Sequence, residues 1–289
     1  MINKEIIFAP GGNSLSFAGR SFPEDLPAYL ARFELNGYEI ECGRGFNVSA
    51  KTYSTLPSLA AHHGIYLTLH APYYISLSSE SEETRDKSVQ WLVDSARVAK
   101  RLSANKVVVH SGSCAKMTRE HALELSKDTL LRAKEKMNQE NITDIIICPE
   151  TMGKINQIGT LEETLELAAL DDSFLPCVDF GHLNARSLGG VRTVNDYKKM
   201  FDLCEEKLGF ERAASMHIHF SKVMYTVGGE KMHLKFDDMQ YGPDFKPMLD
   251  EIKRRGYKPS IVCESSGTQA EDCKIMKDYY ESINLINNN

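Results

Sequence analysis

Six short apolar runs in this chain each end in a side chain able to bind a metal ion. Tyr66-Leu67-Thr68-Leu69 leads to His70, Val107-Val108-Val109 to His110, and Ile145-Ile146-Ile147-Cys148-Pro149 to Glu150. Pro176-Cys177-Val178 leads to Asp179, with His182 three residues on; Met216 leads to His217-Ile218-His219, and Ile261-Val262-Cys263 to Glu264. Buried carboxylates that find no partner cost several kcal/mol each. A cation is the simplest way to hold Glu150, Asp179 and Glu264 together. Mixed imidazole and carboxylate ligands suit zinc, and also manganese or iron. Six of the nine histidines (70, 110, 182, 217, 219 and 233) are candidate ligands. That is more than one ion uses, so two or three ions are expected, with Glu150, from the middle strand of the series, as the bridge. His62 and His63 close a predicted helix, where positive charge suits the helix dipole, and His121 opens a polar one; none of these three is assigned a role.

Short apolar runs closed by turn signals read as buried strands. They fall near 5–9, 37–42, 65–70, 105–110, 144–149, 175–180, 213–219 and 259–264. Helical periodicity fills 23–35, 52–63, 81–103, 118–140, 160–170, 194–208 and 243–255, and a closing helix is predicted over 269–286. Asn36-Gly37, His63-Gly64, Leu208-Gly209 and Arg255-Gly256 mark helix ends. Strands alternating with helices pair in parallel through right-handed crossovers. The expected closure at this length is a single-domain (β/α)8 TIM barrel spanning 1–289, a fold typically of about 250 residues. An open doubly wound sheet would need a glycine-rich phosphate turn after its first strand, and Gly11-Gly12-Asn13-Ser14 is a poor match. Barrel chemistry sits at the carboxyl ends of the strands, where the six ligand-bearing runs stop. His217 and His219, two apart, both face the interior of a regular strand. Ser221 to Tyr241 reads as a long structureless loop, and such loops are usually functional.

The formal charge of -6 over 289 residues offers no global attraction to phosphate, so any nucleic-acid binding must come from a local face or from metal ions. The seven cysteines show no CxxC spacing and read as small buried hydrophobes in a reducing compartment. The polar start Met1-Ile2-Asn3-Lys4-Glu5 does not resemble a secretory signal, and no apolar stretch approaches the roughly 20 residues needed to cross a bilayer. A cytoplasmic monomer without a membrane partner is the simplest expectation.

At these residues the chain resembles the endonuclease IV family of zinc-dependent apurinic/apyrimidinic endonucleases, on the xylose isomerase-like barrel. The likeness rests on His70-Ala71-Pro72-Tyr73-Tyr74, Val109-His110-Ser111-Gly112, Pro149-Glu150-Thr151-Met152-Gly153-Lys154, Val178-Asp179-Phe180-Gly181-His182 and Met216-His217-Ile218-His219-Phe220-Ser221. Gly229-Glu230-Lys231-Met232-His233 and Cys263-Glu264-Ser265 complete it, and the wording is nearest to an endonuclease IV-related branch of archaea and some bacteria. The resemblance implies three zinc ions: one on His70 and His110, sharing Glu150 with a second completed by Asp179, His217 and Glu264, and a third on His182 and His233. Where the family has an Asp two residues before the last His, this chain has Lys231, so Glu230 or His219 is the expected stand-in.

The resemblance implies hydrolysis of DNA 5′ to an abasic site, with clustered zinc activating water and Glu150 orienting it. Tyr73, Arg44, Lys154, Arg186, His219 and Lys222 are the expected contacts to substrate, phosphate or DNA. Gly43-Arg44-Gly45-Phe46-Asn47 replaces the family's polar stretch after the second strand. The alternative is a sugar isomerase or epimerase on the same barrel. It would hold one divalent ion on Glu150, Asp179, His217 and Glu264 and use the two Glu residues to shuttle a proton beside a carbonyl. Such an enzyme has no need of His70, His110, His182 and His233.

Overall fold

The computed structural model describes residues 3–284. Met1 and Ile2, the end of the expected closing helix and the Asn287–Asn289 tail lie outside the described residues.

Among the described residues there are ten strands, β1 (Ile7–Pro10), β2 (Gly37–Glu41), β3 (Tyr66–His70), β4 (Lys106–His110), β5 (Ile146–Glu150), β6 (Cys177–Asp179), β7 (His217–Phe220), β8 (Lys222–Thr226), β9 (Gly229–Leu234) and β10 (Ser260–Cys263). Eight of them form one parallel sheet in the order β1-β10-β7-β6-β5-β4-β3-β2. The sheet curls into a single-domain TIM barrel, but its closure between β1 and β2 is not a regular ladder. There the Asn36 side chain acts as a clasp, its Oδ1 accepting from Phe8 N at 2.8 Å and its Nδ2 donating to the Ile6 carbonyl at 3.0 Å. Above it, Gly12 N donates to the Glu39 carbonyl at 3.0 Å. The approach is close enough that a Cβ on Gly37 would stand 2.5 Å from the Ile7 side chain.

Among the described residues ten α-helices surround the strands: α1 (Leu26–Arg32), α2 (Ala50–His63), α3 (Glu82–Leu102), α4 (Arg119–Gln139), α5 (Leu161–Ala168), α6 (Phe180–Arg186), α7 (Val194–Leu208), α8 (Phe210–Ala214), α9 (Lys246–Arg255) and α10 (Gln269–Ser282). Ser49, Ser81, Thr118, Thr160 and Thr193 start α2, α3, α4, α5 and α7 by accepting an amide hydrogen from three residues ahead. Gly64 and Gly256 end α2 and α9 in the left-handed conformation, the stop that the sequence marks. The main core lies between the helices and the outward faces of the strands, with Leu92, Val93, Ala96 and Ala99 of α3 fully buried against it. No described helix is long and apolar enough to cross a membrane.

The strand interior is polar. Glu39, Thr68, Lys106, His217, His219 and Ser260 are buried within the barrel, and Val108, Cys148, Leu175 and Cys177 form a small separate apolar cluster. Two expectations are corrected. Ser221–Tyr241 is not structureless, because β8 and β9 form an antiparallel hairpin there. The segment expected as a strand from 213 begins as α8, and β7 starts at His217.

Candidate metal centre

Strands β3 to β7 and β10 deliver their last side chains to one mouth of the barrel. His70, His110 and Glu150 offer ligand atoms within 4.8 Å of one another; so do Glu150, Asp179, His219 and Glu264, and so do His182, Glu230 and His233. Glu150 stands in two of these sets. Its Oε2 lies 3.5 Å from His70 Nε2 and 3.4 Å from His110 Nε2, while its Oε1 lies 3.1 Å from His219 Nδ1.

The local chain explains the placements. β6 ends at Asp179, which caps α6 by accepting from His182 N at 2.7 Å through Oδ1. The Asp-x-x-His spacing is therefore a cap and its third residue, and the second carboxylate oxygen is left facing the cluster. His233 enters from β9 of the hairpin, 5.4 Å from the His182 ring centroid to centroid. Opposite Met224 and Tyr225 of β8 stand Met232 and Glu230, so Lys231 is an extra residue in a β-bulge. A bulge re-aims side chains. Here it turns Glu230 onto the face of His233 and brings its Oε2 to 3.5 Å from His182 Nε2. Gly153 makes room, since a Cβ there would stand 2.5 Å from the Glu230 Cβ.

The donor set fits a metal, judged by where its protons and lone pairs lie. His70 Nδ1 is 2.8 Å from the Ala71 carbonyl and His182 Nδ1 is 2.9 Å from the Thr151 carbonyl. A carbonyl only accepts, so each Nδ1 carries hydrogen and each neutral ring turns its Nε2 lone pair toward a carboxylate. Glu150 Oε2, Asp179 Oδ2 and His182 Nε2 are buried without a hydrogen-bond partner. Lone pairs facing one another in a dry site are compensated by a cation or by added protons. Protons take that place in the metal-free chain. Burial disfavours charge on His70, but Glu150 and Glu41 outweigh it and raise the imidazole to about 10. Burial likewise opposes charge on His182, and Asp179 and Glu150 hold it well above its ordinary value. Burial resists ionisation of Glu264 as well, yet His219 and His233 bring it down to about 2. His110, where burial prevails, falls to about 4, and burial lifts Asp179 to about 6.

The expected ligand His217 is corrected to its neighbour. His219 faces Glu150 and, at 3.4 Å, Glu264, while His217 lies one layer deeper, 3.0 Å from Glu39 Oε2. A continuous buried chain fixes the orientation of both rings. Lys106 Nζ donates to Ser260 Oγ at 2.9 Å, and an ammonium group cannot accept. Ser260 Oγ therefore donates to His217 Nδ1 at 2.7 Å, and His217 Nε2 donates to Glu39. Glu39 Oε1 stands 2.9 Å from His219 Nε2, and Nδ1 of His219 is the ring nitrogen that faces the cluster. Nothing in the sequence marks Glu39 as part of the site, although it alternates with Glu41 along β2.

Three expected substrate contacts are spent or placed otherwise. Arg186 donates to the carbonyls of Met152, Lys154, Ile155 and Gln157, bracing the loop after β5. Lys222 Nζ is held by the carbonyls of Phe236 and Asp238. Arg44 lines a separate chamber next to the cluster. Lys154 does line the ligand-bearing cavity, of about 450 Å3, and so does Tyr73, which is 58% exposed and stacks on His110.

A family model described as the xylose isomerase-like TIM barrel matches residues 27–288. An uncharacterized protein of Methanocaldococcus jannaschii is 29% identical over 97% of this chain and 100% of its own length. A probable endonuclease 4 of Methanosphaera stadtmanae is 30% identical over 53% of this chain, and the match spans only 54% of that relative. Among solved structures, endonuclease IV of Thermus thermophilus superposes with a TM-score of 0.72 at 20% identity, covering 96% of this chain and 100% of that one. A D-tagatose 3-epimerase-like protein gives 0.72 at 24%, covering 96% and 97%. At those identities the solved structures speak for the fold alone.

Proposed function

We infer, for a chain that belongs to the xylose isomerase-like TIM barrel family, that the mouth of the barrel is the active site of a zinc-dependent phosphodiester hydrolase cleaving DNA 5′ to abasic sites. The observation that carries this reading is the pair of additional ligand sets flanking the central one. His70 and His110 share Glu150 with the central set, and His182, Glu230 and His233 form another. The part-length likeness to a probable endonuclease 4 supports the same reading.

His70, His110 and Glu150 would hold one ion, Glu150, Asp179, His219 and Glu264 a second, and His182, Glu230 and His233 a third. Zinc bound there supplies Lewis acidity and a water ionised near neutral pH. The protein's own share is positioning. The Ala71 and Thr151 carbonyls fix the His70 and His182 rings, and Glu39 fixes His219. Glu150, buried at the centre and held well below the ordinary carboxylate range by its histidines against the pull of burial, keeps both oxygens ionised at neutral pH. The exposed Tyr73 ring offers a flat apolar face at the rim, and Lys154 brings a positive charge to the same cavity. Extruding the abasic sugar costs least because no base remains to be unstacked.

A second reading has its own observation. Glu150, Asp179, His219 and Glu264 make a complete four-ligand set by themselves, which is what a one-ion sugar epimerase needs. Nicking of an abasic duplex by zinc-loaded protein, with Glu150→Gln as control, separates the two. Zinc-dependent nicking lost in the variant supports the hydrolase. No cleavage, together with one manganese per chain and turnover of a ketohexose, supports the epimerase.

A further inference from the structure

We propose that a pocket behind the β8–β9 hairpin binds a phosphate-class oxyanion, whatever reaction the metal cluster performs. The pocket, of about 330 Å3, lies between α6, the connection from α6 to α7, β8 and the segment before α9. It shares no lining residue with the ligand-bearing cavity. Three donor groups converge on it and find no acceptor. Asn184, only 2% exposed, accepts from Val191 N at 3.2 Å through Oδ1, which leaves its Nδ2 hydrogens to the pocket with no partner among the described residues. Tyr225 stands edge-on to Tyr241, and its hydroxyl is likewise without a partner among the described residues. Arg192 donates through Nε to the Gly189 carbonyl and pairs with no carboxylate among the described residues.

Gly189 lets the hydroxyl and the guanidinium meet. Its φ of 90° is one that residues with a side chain rarely adopt, and a Cβ there would collide with Tyr225 Oη and stand 3.2 Å from Arg192 Nη2. With Nε tied to the backbone, the guanidinium is held in one place and keeps its terminal nitrogens for a guest, a fork that suits two oxygens of one phosphate. The balance of the walls selects that guest. A buried amide whose hydrogens lack an acceptor costs free energy that an oxygen-rich ligand offsets. Arg192 is the only cation in the lining and Asp244 the only carboxylate; Asp244 is exposed, and its Oδ1 is engaged by Lys246 N at 3.0 Å. A sugar would bring hydroxyl hydrogens that these donors cannot accept. A phosphodiester or a phosphate dianion brings acceptors alone.

Such a phosphate has two sources: a free ion, or the backbone of a nucleic acid held by the protein. In the first arm, inorganic phosphate is titrated into the zinc-loaded full chain while the Asn184 side-chain amide and the Gly189 backbone amide are followed by heteronuclear NMR. Saturable shifts that weaken about tenfold or more in Arg192→Gln, and less steeply in Tyr225→Phe, support the proposal, and Asp244→Asn should tighten the binding. In the second arm, an intact DNA duplex is titrated over a range of salt concentrations. A logarithmic salt slope reduced by about one in Arg192→Gln assigns the pocket to a backbone phosphate. Unchanged duplex binding, with the phosphate shifts present, assigns it to the free ion. Unchanged melting temperature and zinc content show that the variants fold. Shifts that are absent or indifferent to Arg192→Gln and Tyr225→Phe, together with duplex binding indifferent to Arg192→Gln, overturn the proposal. Neither arm reads cleavage, so loss of the hydrolase reading leaves this site standing.

Discussion

Replacing Glu150 with Gln keeps the size of the side chain and removes the one negative charge that two ligand sets share. The expected outcome is loss of about one to two equivalents of zinc by elemental analysis and a fall of nicking of roughly a hundredfold or more. Glu230→Gln acts on a single set and should remove one equivalent while leaving the other two. At this scale the sequence was highly legible. His70, His110, Glu150, Asp179, His182, His233 and Glu264 all stand in ligand sets, because strand ends of a parallel barrel converge on one mouth. His217 and His219 were not separable by spacing. Both point inward, and which one reaches the cluster depends on depth in the barrel, set by the partner strands. His217 pairs with Ser260 at the base of β10, whereas His219 stands beside Asp179 at the end of β6. Arg186 and Lys222 misled for a different reason: charged type and sequence position do not reveal that backbone carbonyls already saturate the head group.

Among elements, β2 and the β8–β9 hairpin do more than their sequences advertise. Glu39→Gln puts an amide where two imidazole nitrogens face a carboxylate, and second-sphere changes of this kind cost about 10- to 100-fold in metal affinity. Zinc competition with a chromogenic chelator should show one class of ion weakened by that factor, with the His70–His110 ion retained. The hairpin supplies a complementary test. Deleting Lys231 removes the bulge and makes Glu230 and His233 alternate residues of a regular β9, which keeps Glu230 opposite Tyr225 and on the face of His233. Retention of the ion at His182 and His233 with the barrel intact by circular dichroism is the expected result; loss of that ion would refute the reading of Lys231 as the extra residue of the bulge. The main barrel elements were readable because helix caps and glycine stops are written in single residues. The hairpin was not, although Gly228-Gly229 is a hairpin turn signal, since the runs on either side of it lack unbroken apolar alternation.

For the molecule as a whole, metal and proton compete for the same lone pairs. The raised histidines, His70, His182 and His219, are held protonated by the carboxylates despite burial when no ion is bound. Each must shed a proton to become a ligand, so loading releases protons and tightens as pH rises. Titrating zinc into weakly buffered apoprotein should acidify the solution, with apparent affinity increasing from pH 6 to pH 8; a pH-independent affinity would contradict this. Loading also binds only the folded chain. At a free zinc concentration about 100 times the dissociation constant it contributes about 2.7 kcal/mol, so chelation should lower the melting temperature and readdition restore it.

The barrel wall is not uniform around its circumference. Seven junctions between strands are sealed by backbone ladders, while the eighth, from β1 to β2, depends on one amide side chain and a few contacts near Gly11 and Gly12. A cylinder fastened unevenly yields first at its weakest stave. Amide protons of β1 and β2 should exchange with solvent sooner than those of β4 and β5, and Asn36→Ala should widen that gap. Gly11, Gly12, Tyr38 and Glu41 frame the larger chamber immediately above this joint, and the strands on either side of it, β10 and β3, lead to Glu264 and His70, so slackening the joint would loosen the chamber wall and the two cation-holding side chains nearest to it.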